Sequence, residues 1–381
     1  MNQKEANKTV RSFAYASFLN DLGSDMIYPI WPLFVTSFLG APMSVLGLID
    51  GLGEAFVSLS QAGSGFFSDR IRKRKVFVWL GYLFGSLSRV GYALSTVWWH
   101  LIPFRVLDRA GKIRGAPRDA IIADVSTGRD MGYNFGLLRA MDNFGAVCGI
   151  IVCILFFGLL GYRNLFLLAA IPSAVGAFLI FILIREDKPA DEKIYKGLSF
   201  KDLDNNFILF LLSSSFLALG SFSYSFLLIY AKQFGFQATF IPVLYLIFTA
   251  VASVFSLPFG KLSDKVGRKP VLVLSYFLWG LVCLGFVFIQ TYLAIILSFV
   301  LYGLHRGSLD TVQKAFVAEL CPREYRASSL GGFQMVVGLC ALPASLIAGV
   351  LWDSVGLYVP FIFSLCLTFL SMLLLVFVKE K

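Results

Sequence analysis

Apolar runs of roughly 20 residues alternate with short polar stretches along the whole chain, and that is the length a helix needs to cross about 30 Å of hydrocarbon. Twelve runs can be counted, at 13–38, 43–67, 76–94, 97–124, 133–160, 164–184, a seventh from 207, then 238–259, 271–289, 292–320, 327–352 and 357–378. The pattern predicts an all-α, polytopic membrane protein. It divides into a six-helix bundle over 1–184, a polar linker over 185–206 rich in Lys, Asp and Glu, and a second six-helix bundle over 207–381.

A repeat supports the division. The segment Gly65-Phe-Phe-Ser-Asp69-Arg70-Ile-Arg72-Lys73-Arg74 returns 195 residues later as Gly260-Lys-Leu-Ser-Asp264-Lys265-Val-Gly267-Arg268-Lys269. In the same register Ala120, Ala123, Asp124 and Gly136 fall on Ala315, Ala318, Glu319 and Gly331, and Gly85 on Gly280. A unit this long, filled with apolar segments, reads as a duplicated membrane bundle rather than a solenoid, and that architecture belongs to transporters.

Composition agrees, since 57% of residues are hydrophobic, 15% are charged and mean hydropathy is +0.77. The net charge of +10 is concentrated in loops: Arg70, Arg72, Lys73, Arg74 and Lys75, then Lys265, Arg268 and Lys269, then Arg323 and Arg326. Loops of the other parity carry little beyond Arg163 and Lys232. The positive-inside bias therefore puts both termini, the linker and both basic repeats in the cytoplasm of a cell-membrane protein, and the basic balance is topology rather than nucleic-acid binding. The polar start, 1–11, leads into a run too long for a signal-peptide core. Six cysteines without CxxC spacing suggest neither disulfides nor a metal site, and no cofactor motif is present.

On its repeated loop the chain resembles the major facilitator superfamily, whose signature is G-x-x-x-D-R/K-x-G-R-R/K between helices 2 and 3, echoed between helices 8 and 9. Gly260, Asp264, Lys265, Gly267, Arg268 and Lys269 meet it fully, whereas the first copy, with Gly65, Asp69, Arg70 and Arg74, has Arg72 at the second glycine. The resemblance implies two pseudo-twofold-related bundles that rock about a central site. It also implies a cytoplasmic latch in which Asp69 and Arg74 work with Asp124, and Asp264 and Lys269 with Glu319; the plainer alternative is a set of topology-fixing charges. Gly136, Gly145 and Gly149 keep the first spacing of a family antiporter motif, but Ile150 stands at its proline. The glycines by themselves indicate close helix packing, and the half-match favours export.

Charges inside the spans carry the functional reading, because each one near the midplane costs about 2.5–3.5 kcal/mol. Helix 1 carries Asp21 and Asp25, and helix 2 carries Asp50 and Glu54, each pair at i, i+4 on one face. Helix 4 answers with Arg105, Arg109 and Lys112 beside Asp108, and helix 5 with Arg139 and Asp142. The resemblance places helices 1, 2, 4 and 5 on the cavity wall, and all the deep charges of the first half except Arg89 lie on them. In the second half helix 10 offers His305, Arg306 and Asp310, and helix 7 hydroxyls such as Tyr224. Asp25 and Glu54 are best placed by depth to carry protons, with Asp21, Asp50 and Asp108 paired to Arg105, Arg109 or Lys112. His305 is either a shuttle or a satisfied packing residue. Pro29, Pro32, Pro103 and Pro117 are expected to kink helices 1 and 4.

These observations favour a monomeric, proton-coupled secondary transporter of a small organic solute, exporting a drug-like compound or metabolite. Uptake of an anionic solute held by Arg109, Lys112 and Arg139, and metal-ion or metal-chelate transport, are the alternatives in the same class. A membrane enzyme or receptor is the rival, but the sequence has no H-E-x-x-H, G-x-S-x-G or phosphate-loop element.

Overall fold

The first apolar run folds as a broken helix. α1 spans Gln3–Asp25, and residues 26–30 then form turns, because Pro29 and Pro32 lack the backbone donors that would continue the ladder. The chain goes on through Trp31–Leu33 and a π-helical Phe34–Phe38. In this computed structural model residues 3–71, 73–126, 131–184, 204–320 and 326–380 are described. Nearly all of the linker expected at 185–206 lies outside them, as do the side chains of Gly65, Asp69 and Arg70.

The remaining spans follow the hydrophobic pattern. α2 is Met43–Ile71 and α3 Arg74–Leu94. α4 comprises Leu101–Ala110, a 3₁₀ turn at Gly111–Arg114, and Gly115–Val125. α5 and α6 share the stretch Met131–Leu183 and are divided at Gly161, whose φ of 65° a residue with a side chain adopts poorly. α7 comprises Asn205–Gly220 and Tyr224–Phe234, and the second piece is capped by Ser223, whose hydroxyl accepts from the Ser225 N–H. α8 (Ile241–Val266), α9 (Arg268–Phe288), α10 (Tyr292–Leu320), α11 (Arg326–Ser354) and α12 (Val359–Phe377) complete the order.

Eight helical stretches among the described residues are long and apolar enough to cross a bilayer, and one of them, Asn134–Leu183, is long enough for two crossings. α1, α3 and α4 fall outside this set, and they carry Asp21, Asp25, Arg89, Arg105, Asp108 and Arg109. The most polar spans thus hold most of the buried charge, with Asp50 of α2 as an exception.

The chain forms two compact units. The first comprises Met1–Gly40 and Phe56–Lys193. Its core gathers Phe13 and Ala16 of α1, Val78 and Tyr82 of α3, Ile122 of α4 and Ile180 of α6. Gly145 and Gly149 let α5 close on α1, since a Cβ at either would overlap the carbonyl oxygen of Phe18 or Leu22; the spacing's promise of close packing is kept at these two, while Gly136 has open space beside it. The second unit comprises Ala41–Ala55 and Ile194–Lys381, so the N-terminal stretch of α2 packs with α7 to α12. There Phe210 of α7 lies against Phe316 of α10 and Phe333 of α11 (4.8 and 5.4 Å between centroids), and the Trp279 indole donates to Ser364 of α12 at 2.8 Å.

Candidate functional site

In the first unit the break in α1 exposes Tyr28 and Trp31 to the cations of α4. Arg105 stacks over Trp31 at 4.5 Å, and Arg109 over Tyr28 at 5.1 Å, donating to its hydroxyl at 3.5 Å. Asp108 is buried between them, 4.0 Å from Arg105 and 3.7 Å from Arg109, and accepts from Ser88 at 3.4 Å. Of the three cations offered to Asp108 by the sequence, Arg105, Arg109 or Lys112, the two arginines lie beside it. Cation–π contacts hold both guanidinium planes in the apolar surroundings.

The two acids of α1 take different places. Asp21 accepts from the Asn20 amide at 2.9 Å and lies within electrostatic reach of half-buried Lys112. Asp25 is the last residue of α1, with Tyr28 in its field. Nearer the other end of α4, Arg118 bonds Asp119 at 2.9 Å and Ser17 at 2.8 Å, and lies 3.9 Å from Asp142. Asp142 is thus tied to a structural cation, while Arg139 is exposed.

Arg89, the exception in the sequence pattern, is 2% exposed. It donates to the Ala169 and Asn20 carbonyls at 2.9 and 3.2 Å, to Ser24 at 2.8 Å and to Ser173. A Cβ on Gly23 would overlap its guanidinium, so glycine opens the niche that seats it. Arg89 pins α1, α3 and α6 together just before the α1 break, and Gly23 next to Ser24 was the one trace of this in the sequence.

In the second unit the acids of α2 separate. Asp50 is 2% exposed and accepts from Ser223 at 2.8 Å and Ser225 at 2.5 Å, both at the break of α7. Glu54, one turn on, is exposed and lies within electrostatic reach of Arg306 and Tyr302. Arg306 and Asp310 pair at 3.1 Å with side chains 44% and 55% exposed, and Tyr224 lies against Tyr245 and Phe248 (5.3 and 5.9 Å). His305 is set apart from this face. It is 1% exposed, bonded through Nδ1 to Ser275 and stacked on Trp279 at 5.5 Å, a satisfied packing residue rather than a lining one.

Arg306 stands near the middle of the 29-residue α10, about 20 Å from its start at 1.5 Å per residue. Exposed charges at that depth are costly against lipid.

Around the basic loops acids and bases meet at two places, while the Asp69 expected to work with Arg74 and Asp124 has its side chain outside the described residues. Arg74 bonds Asp124 at 2.5 Å. In the second copy the cation on Glu319 is Arg268, at 2.7 Å, which also lies 3.4 Å from Asp264; Lys269 instead donates to the Val376 and Val378 carbonyls at 2.6 and 2.9 Å. Gly267, at φ +97°, turns the chain so that Arg268 starts α9, and Glu380 takes the first N–H groups of that helix. This turn carries the lysine past Glu319.

Several comparisons converge. The Major Facilitator Superfamily profile matches residues 13–245 and 207–381. An uncharacterized MFS-type transporter of Methanocaldococcus jannaschii is 39% identical over 386 residues, covering 99% of this chain and 96% of its own. Among solved structures, a mutant of the nucleoside transporter NupG superposes with a TM-score of 0.83 at 16% identity, over 96% of this chain and 99% of its own. A bacterial homolog of the human lysosomal transporter Spinster gives 0.74 at 16% identity, over 99% and 96%. The full-length family match and the relative just described show that the chain is a multi-pass membrane transporter belonging to the Major Facilitator Superfamily.

Proposed function

We propose that the chain is a proton-coupled secondary transporter that moves a small organic solute by alternating access, acting as a monomer in the cytoplasmic membrane with both termini inside. The observation that carries this reading is the exposure of Glu54, Arg306 and Asp310 at membrane depth, where charge is sustained only beside a polar path. Asp25, at the break of α1, and Glu54 are the proton carriers. Each is a carboxylate beside tyrosine or arginine, able to exchange a proton for a guest's charge.

Export of a drug-like compound or metabolite is the favoured direction. The glycine spacing of α5 supports it, as does a 26% identity over 180 residues, 46% of this chain and 44% of the other, to a class C tetracycline resistance protein of Escherichia coli. One structural neighbour, NupG, is a nucleoside transporter by name, and a POT family transporter in complex with 5-aminolevulinic acid superposes at 0.71, so polar metabolites belong in the same screen.

A thermal-shift screen of nucleosides, peptides, amino acids and antibiotics identifies a ligand, and proteoliposomes with an imposed pH gradient then test its movement. Asp25→Asn and Glu54→Gln are expected to abolish gradient-driven transport while retaining binding. Parental rate and pH dependence in both variants would remove the coupling assignment.

A further inference from the structure

Tyr276 of α9 is fully buried inside the second unit, where phenylalanine would pack as well without a polar atom to satisfy. Its hydroxyl makes no hydrogen bond to any described residue. Neither does that of Ser214 on α7, which is 1% exposed. A buried hydroxyl left in that state is costly, so each calls for a partner. They share one location: beside the Tyr276 hydroxyl stand those of Ser214, Ser213 and Ser371.

Two of these four hydroxyls are already engaged. Ser213 of α7 donates to the Ser371 carbonyl of α12 at 2.8 Å, and Ser371 returns the bond to the Ser213 carbonyl at 2.7 Å, with the two side-chain oxygens 3.3 Å apart. This reciprocal clasp uses both serine protons and leaves lone pairs on both oxygens. Ser215, the next residue after Ser214, settles on the Leu211 carbonyl of its own helix at 2.8 Å, whereas Ser214 makes no such bond. What remains is two donors, on Tyr276 and Ser214, and two acceptors, on Ser213 and Ser371.

A water molecule accepts two hydrogen bonds and donates two, which is that inventory reversed. A sodium ion draws lone pairs only and would leave the protons of Tyr276 and Ser214 without acceptors. We propose that one internal water is bound between α7, α9 and α12, accepting from the Tyr276 and Ser214 hydroxyls and donating to the Ser213 and Ser371 oxygens. The site has a direct counterpart two turns away, where Ser364 of α12 takes the Trp279 indole of α9. Ser364, Thr368 and Ser371, all buried and spaced i, i+4, i+7, thus form one hydroxyl stripe that α9 reads once directly and once through water. The inference is independent of what the chain transports.

A crystal structure of the full chain fine enough to show ordered water is expected to hold a peak about 2.7–3.0 Å from all four oxygens. Melting of the full chain in detergent tests the same point in solution. Tyr276→Phe and Ser214→Ala each remove one bond to the water and are expected to lower the midpoint by about 2 °C or more. The double variant is expected to lose less than the sum, since both act through one molecule. Were the two hydroxyls dry, removing either would raise the midpoint instead, and that result overturns the proposal. Strict additivity overturns it as well, and so does a map with Tyr276 bonded directly to Ser214 and no peak. The parental midpoint is expected to be the same in sodium chloride and in choline chloride at equal ionic strength; a higher one in sodium would put a cation in the site and end the assignment to water.

Discussion

Replacing Gly136 and Gly149 of α5 by alanine is expected to move stability in opposite directions, although both lie in one helix and belong to one sequence spacing. Alanine gains about 1 kcal/mol over glycine in a helix interior, through the backbone freedom that the unfolded glycine loses on folding. At Gly136 nothing lies within 4 Å of the new Cβ, so the gain is kept. At Gly149 the Cβ would overlap the carbonyl oxygen of Leu22, a backbone atom that cannot swing aside as a side chain would. Overpacking of that kind costs about 1–3 kcal/mol, which turns the gain into a net loss of about 1 kcal/mol. Gly145 meets Phe18 in the same way, so the two contacts bracket Asp21 and any retreat of α1 carries that acid with it. Thermal unfolding in a single detergent, followed by tryptophan fluorescence, reads the order: Gly136→Ala above the parent and Gly149→Ala below. If Gly149→Ala melts at or above the parent, the α1–α5 crossing does not depend on the missing side chain and the reasoning fails.

Two further expectations separate neighbouring residues. A double-mutant cycle of Arg268→Ala with Glu319→Gln should show a coupling of about 0.5–1 kcal/mol, modest because the pair is partly solvated, whereas Lys269→Ala with Glu319→Gln should show none. Equal couplings in chemical denaturation would return the lysine to the latch. His305→Phe keeps the stack on Trp279 and loses the bond to Ser275, so it should cost about 1 kcal/mol and leave the pH profile of transport in place. A displaced profile would make the imidazole a proton carrier.

The helices were legible because membrane spans are written in local hydrophobicity, and the repeat made the latch acids legible because duplication preserves register. Gly161 turns the chain between the fifth and sixth runs where the pattern ends one and starts the next. The break in α1 was legible from Pro29 and Pro32, and that in α7 only from the small residues Gly220, Ser221 and Ser223, a weaker signal. Partner choice was harder. Asp50 accepts from serines 173 and 175 positions away, and no local pattern along α2 announces them. The exchange of Lys269 for Arg268 is a matter of one residue, decided by how Gly267 aims the start of α9, and Glu380 closes that turn from more than a hundred positions away.

The 3₁₀ turn at Gly111–Arg114 has a geometric effect on everything beyond it. Four residues wound at three per turn instead of 3.6 add about 80° of twist and roughly 2 Å of length. A wheel drawn for a straight α4 sets Arg105, Arg109 and Lys112 in one stripe and Arg114 opposite to it; with the splice in place the first pair meets the aromatics of α1 and Arg114 stacks over the Tyr82 ring at 4.9 Å. Straightening this splice would rotate one end of the span against the other and reassign its cations to new neighbours, so α4 can pass torsion along its axis without either end unwinding.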